Sequence, residues 1–380
     1  MLQEILEKNL RYIQAQKSYR LYDTELTSAV HILNTKNIMT LSLRHTGKTK
    51  LVYEILKKTK SFEKSFYYNS ECDPLRVIKD RQDLIVLLDL YVRLYGVPKI
   101  IILQNTNNIE IKDFISQLYK TKKYKLIVVG NNIKIEGVED IEIFPLGIDF
   151  KKQEYNTFGI AEVRIVPDTQ YKIFLLEALK HDIISRDILE AYTIKNISLF
   201  YQVLSYIAQI SQYVSMRELH RQLTEHSIDI SLLTLIDYTN ASLNTKVLHR
   251  CYLYDVKNKN TISSKVQYFF DVGIRQSFDT TVTGDENLIF LELLRNGYEV
   301  HGGLNGRYQF AFYAQKDSKI LALDIDTTDK TEIRKAARKL AKLDSSQKYI
   351  IVQNKNALNM RKFEEEGVLI IELEEFVKAI

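Results

Sequence analysis

The sequence predicts an α/β chain in three parts: a parallel sheet covered by helices, a mainly helical stretch ending in a β-ribbon, and a small second α/β domain. Three observations carry this reading. In the N-terminal third, apolar β-like runs at 38–41, 66–68, 99–103 and 125–129 alternate with amphipathic helical segments, the pattern of a parallel sheet with helices on its faces. The first of these runs enters a basic turn, Ser42-Leu43-Arg44-His45-Thr46-Gly47-Lys48-Thr49, and leaves it as a helix. Beyond residue 263 a helix, three strands, a helix and further strands follow in order. The boundaries read as 1–155, 156–262 and 263–380.

Taken along the chain, residues 1–34 read as helix, and Ile38-Met39-Thr40-Leu41 as the first strand. A helix then begins at the basic turn and runs through Leu56, and a further strand is expected at Ile141-Glu142-Ile143-Phe144, closed by Pro145. In the middle part, a short helix begins at Ser215 and a second covers 231–243. Candidate strands at 249–254 and 266–270 complete the order of a winged helix. In the last part a helix at 286–295 ends at Gly297, a residue suited to the left-handed C′ position. Strands follow at 298–300, 308–313 and 320–325. Asp329 and Glu332 form a capping box for a helix reaching Leu343, and strands at 349–352 and 368–371 close the chain. This is the connectivity of a restriction-endonuclease-like core.

Composition excludes several classes. With 380 residues, 45% of them hydrophobic, the chain can build two or three real cores. Its 53 basic against 48 acidic residues leave a balance of +5, which permits nucleic-acid contact without demanding it. Cys72 and Cys251 are far apart and outside any CxxC pattern, so neither a disulfide framework nor a zinc site is expected. No apolar run reaches the ~18–20 residues of a membrane span, and the N-terminus lacks a signal-peptide core; a cytoplasmic location is expected.

The turn at 42–49 is where chemistry is expected. A phosphate loop works because consecutive backbone N–H groups and a helix N-terminus cradle phosphates, while a Lys reaches the outer oxygens and a Thr hydroxyl meets Mg²⁺. Gly47, Lys48 and Thr49 stand in those roles, flanked by Ser42, Arg44, His45, Thr46 and Lys50. ATP or ADP with Mg²⁺ is the expected ligand, with Thr49 as the metal contact. The place of the loop's first glycine holds Ser42, and a non-glycine forced to positive φ costs roughly 1 kcal/mol.

Across nearly its whole length the chain resembles the prokaryotic AAA-type P-loop ATPases that carry a winged helix and a C-terminal restriction-endonuclease-like domain of unknown function. The resemblance lies in LSLRHTGKTKLV, IIILQN, VVGNN, FPLGIDF, RDILEAYTIKN and the pair YFFDVGIR and ENLIFLELLRNGYEV. It implies an Asp-Glu pair after the strand at 100–103, where this chain has Gln104-Asn105. Neutral amides neither balance the metal's charge nor accept a proton at neutral pH. It implies an Arg where this chain has Ala191, a group worth roughly 10³–10⁵ in rate, for which Arg186 and Lys195 are the nearby cations. Asn131 or Asn132, after Gly130, can contact the γ-phosphate. In the last domain the implied metal-binding Asp is Ala311, within Gln309-Phe310-Ala311-Phe312, and no Lys stands two residues beyond Asp324 or Asp326. Glu286 and Glu292 are the remaining candidates for a first carboxylate.

These departures describe a degenerate member that binds ATP or ADP with weak or absent hydrolysis, acts on a protein or DNA partner or self-associates, and has no nuclease activity. The competing readings are an active ATPase that recruits Asp73 or Glu71, and an interaction scaffold without nucleotide. For DNA, the helix at 231–243 carries Thr234, Tyr238, Asn240 and Ser242 but also Asp237, and no Lys or Arg. Basic clusters lie instead at Lys120, Lys122, Lys123 and Lys125, and at Arg334, Lys335, Arg338, Lys339 and Lys342.

Overall fold

The computed structural model describes residues 1–15, 37–41, 47–73, 75–106, 112–121, 123–130, 138–142, 163, 168–278, 285–326, 330–352 and 367–380. They fall into two compact units, one formed by 1–146, 183–191 and 244–246, the other by 147–182, 192–243 and 247–380.

The first unit is built on five parallel strands: β1 (Asn37–Leu41), β2 (Ser65–Asn69), β3 (Ile100–Gln104), β4 (Lys125–Val129) and β5 (Val138–Glu142). Their order across the sheet is β2-β3-β4-β1-β5. The last strand lies slightly N-terminal to the place expected from sequence, and Ile143 to Pro145 are outside the described residues. Among the helices are α1 (Leu2–Gln14), α2 (Lys48–Lys58), α3 (Arg81–Tyr95) and α4 (Lys112–Thr121). Of the long first helix expected at 1–34, residues 16–34 lie outside the described residues.

Helices on both faces explain why the central strands are apolar without alternation. Phe66, Tyr68, Ile101, Leu103, Leu126 and Val128 point to one face, against α3 and α4. Tyr67, Ile100, Ile102, Ile127 and Val129 point to the other, against Leu51, Val52, Ile55 and Leu56 of α2. Fully burying each such side chain is worth about 1.5–3 kcal/mol relative to exposure. Helix α1 serves both faces, with Ile5 and Leu6 in the first cluster and Ile13 in the second.

The second unit begins with α5 (Thr169–Ile183), α6 (Ile197–Gln209), α7 (Met216–Glu225) and α8 (Leu232–Asn244), followed by the antiparallel ribbon β6 (His249–Asp255) and β7 (Asn260–Phe269). A short bridge joins Val214, just before α7, to Val266 of β7. The chain continues through α9 (Val272–Phe278), α10 (Asp285–Arg295), β8 (Glu299–Asn305), β9 (Tyr308–Lys316), β10 (Lys319–Asp326), α11 (Lys330–Leu340), β11 (Gln347–Val352), β12 (Leu369–Glu372) and α12 (Leu373–Ala379). Gly297 follows α10 at φ 78°, in the left-handed conformation its position requires. Asp329, one half of the capping box expected before α11, is outside the described residues.

All seven strands of this unit form one sheet, β12-β11-β10-β9-β8-β6-β7. Its join is the parallel pairing of β6 with β8, where Leu253, Tyr254 and Asp255 lie opposite Gly302, Gly303 and Leu304. The boundary expected at 262/263 therefore falls inside β7, and the ribbon and the last domain share one sheet.

Candidate functional site

Parallel sheets present their ligand sites at the carboxyl ends of the strands. In the first unit the register brings Asn69, Gln104 and Val129 level at that edge. Val129 in turn lies opposite Thr40 of β1, the strand that leads to the Gly-Lys-Thr turn. Gly47 takes φ 93° and caps α2 in left-handed conformation, a backbone geometry that a residue with a Cβ resists. Lys48 opens the helix and is only 8% exposed, Thr49 and Lys50 following it in the first turn. Ser42, Arg44, His45, Thr46 and Asn131 lie outside the described residues, as do Leu43 and Asn132.

Thr49 and Gln104 meet. The Gln104 side-chain amide donates to the Thr49 hydroxyl oxygen at 2.8 Å, and its carbonyl accepts the Tyr67 hydroxyl, also at 2.8 Å. Gln104 is 4% exposed. Tyr67 is buried deeply enough that its phenol is held well above its ordinary range, so it stays a proton donor at any physiological pH. The nitrogen end of the Gln104 amide thus faces Thr49 and the oxygen end Tyr67.

Asn105 turns the chain out of β3 at φ 54°, a left-handed conformation that Asn tolerates better than most side chains. Its backbone N–H donates to Val129 O, and its side-chain amide donates to Asn69 Oδ1 at 3.2 Å. Its carbonyl accepts the Ser70 hydroxyl. Asn69 in turn donates its backbone N–H to Asn9 Oδ1 at 2.7 Å, and Asn9 donates its own amide to Ile5 O. Asn9, Tyr67, Asn69 and Ser70 were not readable as members of this network. The only sequence signal is that two apolar strands, β2 and β3, end in amide side chains.

The acidic residues considered as substitutes are engaged elsewhere. Glu71 pairs with Arg186 at 3.4 Å, so the proposed substitute acid and the proposed substitute cation bind each other. Asp73 is buried and accepts the Ile78 N–H at 2.8 Å, organising its own loop. Burial pushes the Cys72 thiol up to about 11.

In the second unit a cavity of about 340 Å³ is lined by Tyr213, Gln267, Asp285, Glu286, Gln309, Ala311 and Asp324, among others, and by no Lys or Arg among the described residues. Burial raises the Glu286 carboxyl, opposed by a hydrogen bond from Gln267 and by the charge of Arg275. Asp324 accepts the Tyr308 hydroxyl at 2.5 Å. The other candidate, Glu292, is absent from this lining: it forms an ion pair with Arg295 at 2.5 Å, both side chains 4% exposed. Nothing is described of the Asp326 side chain.

On α8 the described exposed positions are Leu233, Asp237, Asn240 and Asn244, which share one helical face. Tyr238 and Ser242, grouped with them in sequence, are buried; their hydroxyls donate to Asn196 O and Tyr238 O. On α11, by contrast, Arg334, Lys335, Arg338 and Lys339 are all exposed, opposite buried Ile333, Ala336, Ala337 and Leu340, and exposed Lys342 follows. Among the described residues no helix is long and apolar enough to cross a membrane.

No family model matches the chain. An uncharacterized protein of Haemophilus influenzae is 24% identical over 185 residues, covering 47% of this chain and 46% of its own length, so the likeness spans less than half of that relative. Among solved structures, one titled as Drosophila ORC bound to AT-rich DNA and Cdc6 aligns over 73% of this chain and 94% of its own at 10% identity. Its TM-score is 0.23, too low to carry an argument about fold or function. What stands on the geometry is a mixed α/β chain whose parallel sheet sets a Gly-Lys-Thr helix start beside a buried polar bridge.

Proposed function

We propose that this chain binds ATP or ADP at the carboxyl edge of its five-stranded sheet, with weak or absent hydrolysis, and uses that occupancy to regulate binding to a protein or DNA partner. One observation carries the reading: β1 leads to a left-handed Gly47 and a helix opened by Lys48 and Thr49, at the edge where Gln104 meets the Thr49 hydroxyl. Backbone N–H groups at such a helix start favour phosphate. The position from which a carboxylate would act carries an amide, and Glu71 and Asp73 are otherwise engaged. That supports binding over turnover and weighs against the reading in which either acid serves as catalyst.

The test is a titration of ADP and ATP against wild type and Lys48→Ala, with phosphate release followed on the same samples. Wild type is expected to bind and Lys48→Ala to bind about tenfold or more weakly, a loss of about 1.4 kcal/mol per decade. Phosphate release above background that depends on Lys48 would reject weak or absent hydrolysis, and no nucleotide binding by wild type would reject the whole reading.

The partner side rests on two surfaces of opposite character. The exposed face of α8, with Leu233, Asp237 and two Asn, has no cation for a phosphate backbone and suits a protein. The cationic face of α11 favours the DNA alternative. Among the described residues the cavity has no lining Lys, and it carries Ala311, which supports a structural or binding role over nuclease chemistry.

A further inference from the structure

The metal that accompanies nucleotide in phosphate loops does not fit the Thr49 site as this chain builds it. Mg²⁺ takes oxygen donors in near-octahedral array at about 2.0–2.1 Å and is held with the help of carboxylates that balance its charge. At Thr49 the hydroxyl oxygen already accepts an N–H from Gln104 at 2.8 Å. That N–H is the positive end of an amide dipole, set beside the oxygen a cation would have to use.

The Gln104 carbonyl faces Tyr67 rather than Thr49. That oxygen accepts the Tyr67 hydroxyl at 2.8 Å, and both residues are buried. Turning the amide over would leave Tyr67 accepting from the amide N–H, its own buried proton then needing another acceptor. The nearest acids named above do not supply the missing charge, since Glu71 faces Arg186 and Asp73 binds the backbone of its loop. Among the described residues no group of three or more His, Cys, Asp or Glu side chains is arranged to hold a metal ion.

We infer that the site takes its nucleotide as the metal-free anion, the Gln104 amide standing where other sites of this kind place the carboxylate that balances the cation. This inference rests on the nucleotide reading above and narrows its ligand. Free ADP is the preferred form, because ATP is the stronger chelator and is drawn away as its magnesium complex. A chelator therefore does not weaken binding, and excess Mg²⁺ weakens ATP binding rather than strengthening it.

The experiment is calorimetric titration of wild type with ADP and with ATP, each in excess EDTA and in excess Mg²⁺. Both affinities are expected to be at least as high in EDTA as in Mg²⁺, with ATP losing more than ADP in excess Mg²⁺. A loss of about tenfold or more in EDTA would overturn the inference while leaving nucleotide binding intact. No binding in either condition would overturn both. Gln104→Asp is expected to acquire the dependence that wild type lacks, binding about tenfold tighter with Mg²⁺ than with EDTA. Should that variant fail to fold, electron paramagnetic resonance of Mn²⁺-ADP mixed with wild type decides the matter. Conversion of the Mn²⁺-ADP spectrum to that of free aquo Mn²⁺ as the protein takes up ADP supports the inference, and a protein-bound Mn²⁺ signal overturns it.

Discussion

Gln104 is held from both ends, and its neighbour Tyr67 supplies the less obvious half of that hold. Tyr67→Phe keeps the ring but leaves a buried amide oxygen without its donor, at a cost of about 1–3 kcal/mol. The midpoint of chemical denaturation should fall accordingly with an unchanged slope; an unchanged midpoint would mean that the bridge contributes nothing. The helix start at Gly47, Lys48 and Thr49 was legible in the sequence because it depends on spacing along the chain. The bridge was not, because it depends on which residues of separate strands come level. Only the register that sets Asn69 opposite Gln104 places the Tyr67 hydroxyl within reach of that amide. The amide identities at 104 and 105 were plain in the sequence, while what those amides bind was visible only in the fold.

Helix α7 shows how one acid can serve two elements. Ser215 and Glu218 form a capping box, and Glu218 also accepts Lys265 of β7 at 2.7 and 2.9 Å. The hydrogen bond from Lys265, then that of the Ser215 backbone, lowers the Glu218 carboxyl to about 2. A carboxyl depressed on folding stabilises the native state above its ordinary value of 4.5 and loses that contribution as pH falls toward 2. The stability difference between wild type and Glu218→Gln should therefore be constant near neutrality and shrink from pH 4.5 downward. Denaturation midpoints of the two proteins measured across pH would contradict this if the gap widened in acid. The start of α7 was legible from Ser215 onward, and so was the span of α8. The faces of α8 were not: Tyr238 looked available beside Asn240, yet it is buried and bonded to Asn196 O. Position along a helix gives the angle of a side chain, but what covers that angle is decided by distant segments.

At the scale of the whole chain, sequence marked the strands well because those buried on both faces read as apolar runs. The alternation of strands and helices likewise announced a parallel sheet in the first unit. It did not reveal that β6 would lie parallel to β8, nearly fifty residues further along, since such a pairing leaves no local pattern. The pairing makes a prediction about dissection. A fragment of 263–380 loses β6 and exposes the β8 edge, whereas 192–380 keeps the seven-stranded sheet entire. The longer fragment should unfold cooperatively with dispersed amide resonances, and the shorter one should show neither property. A well-dispersed spectrum from 263–380 would show that the last domain stands alone after all.

The left-handed turn at Asn105 gives the site a direction in sequence space. Its φ of 54° suits Asn, and its amide, carbonyl and N–H are all tied to neighbouring strands. A carboxylate installed at 104 alone would still lack its companion. Glu at 105 would have to accept a backbone better suited to Asn while giving up the bond to Asn69. A step toward an acid at 105 thus passes through a poorer fold, and installing an acid pair here would require several coordinated changes.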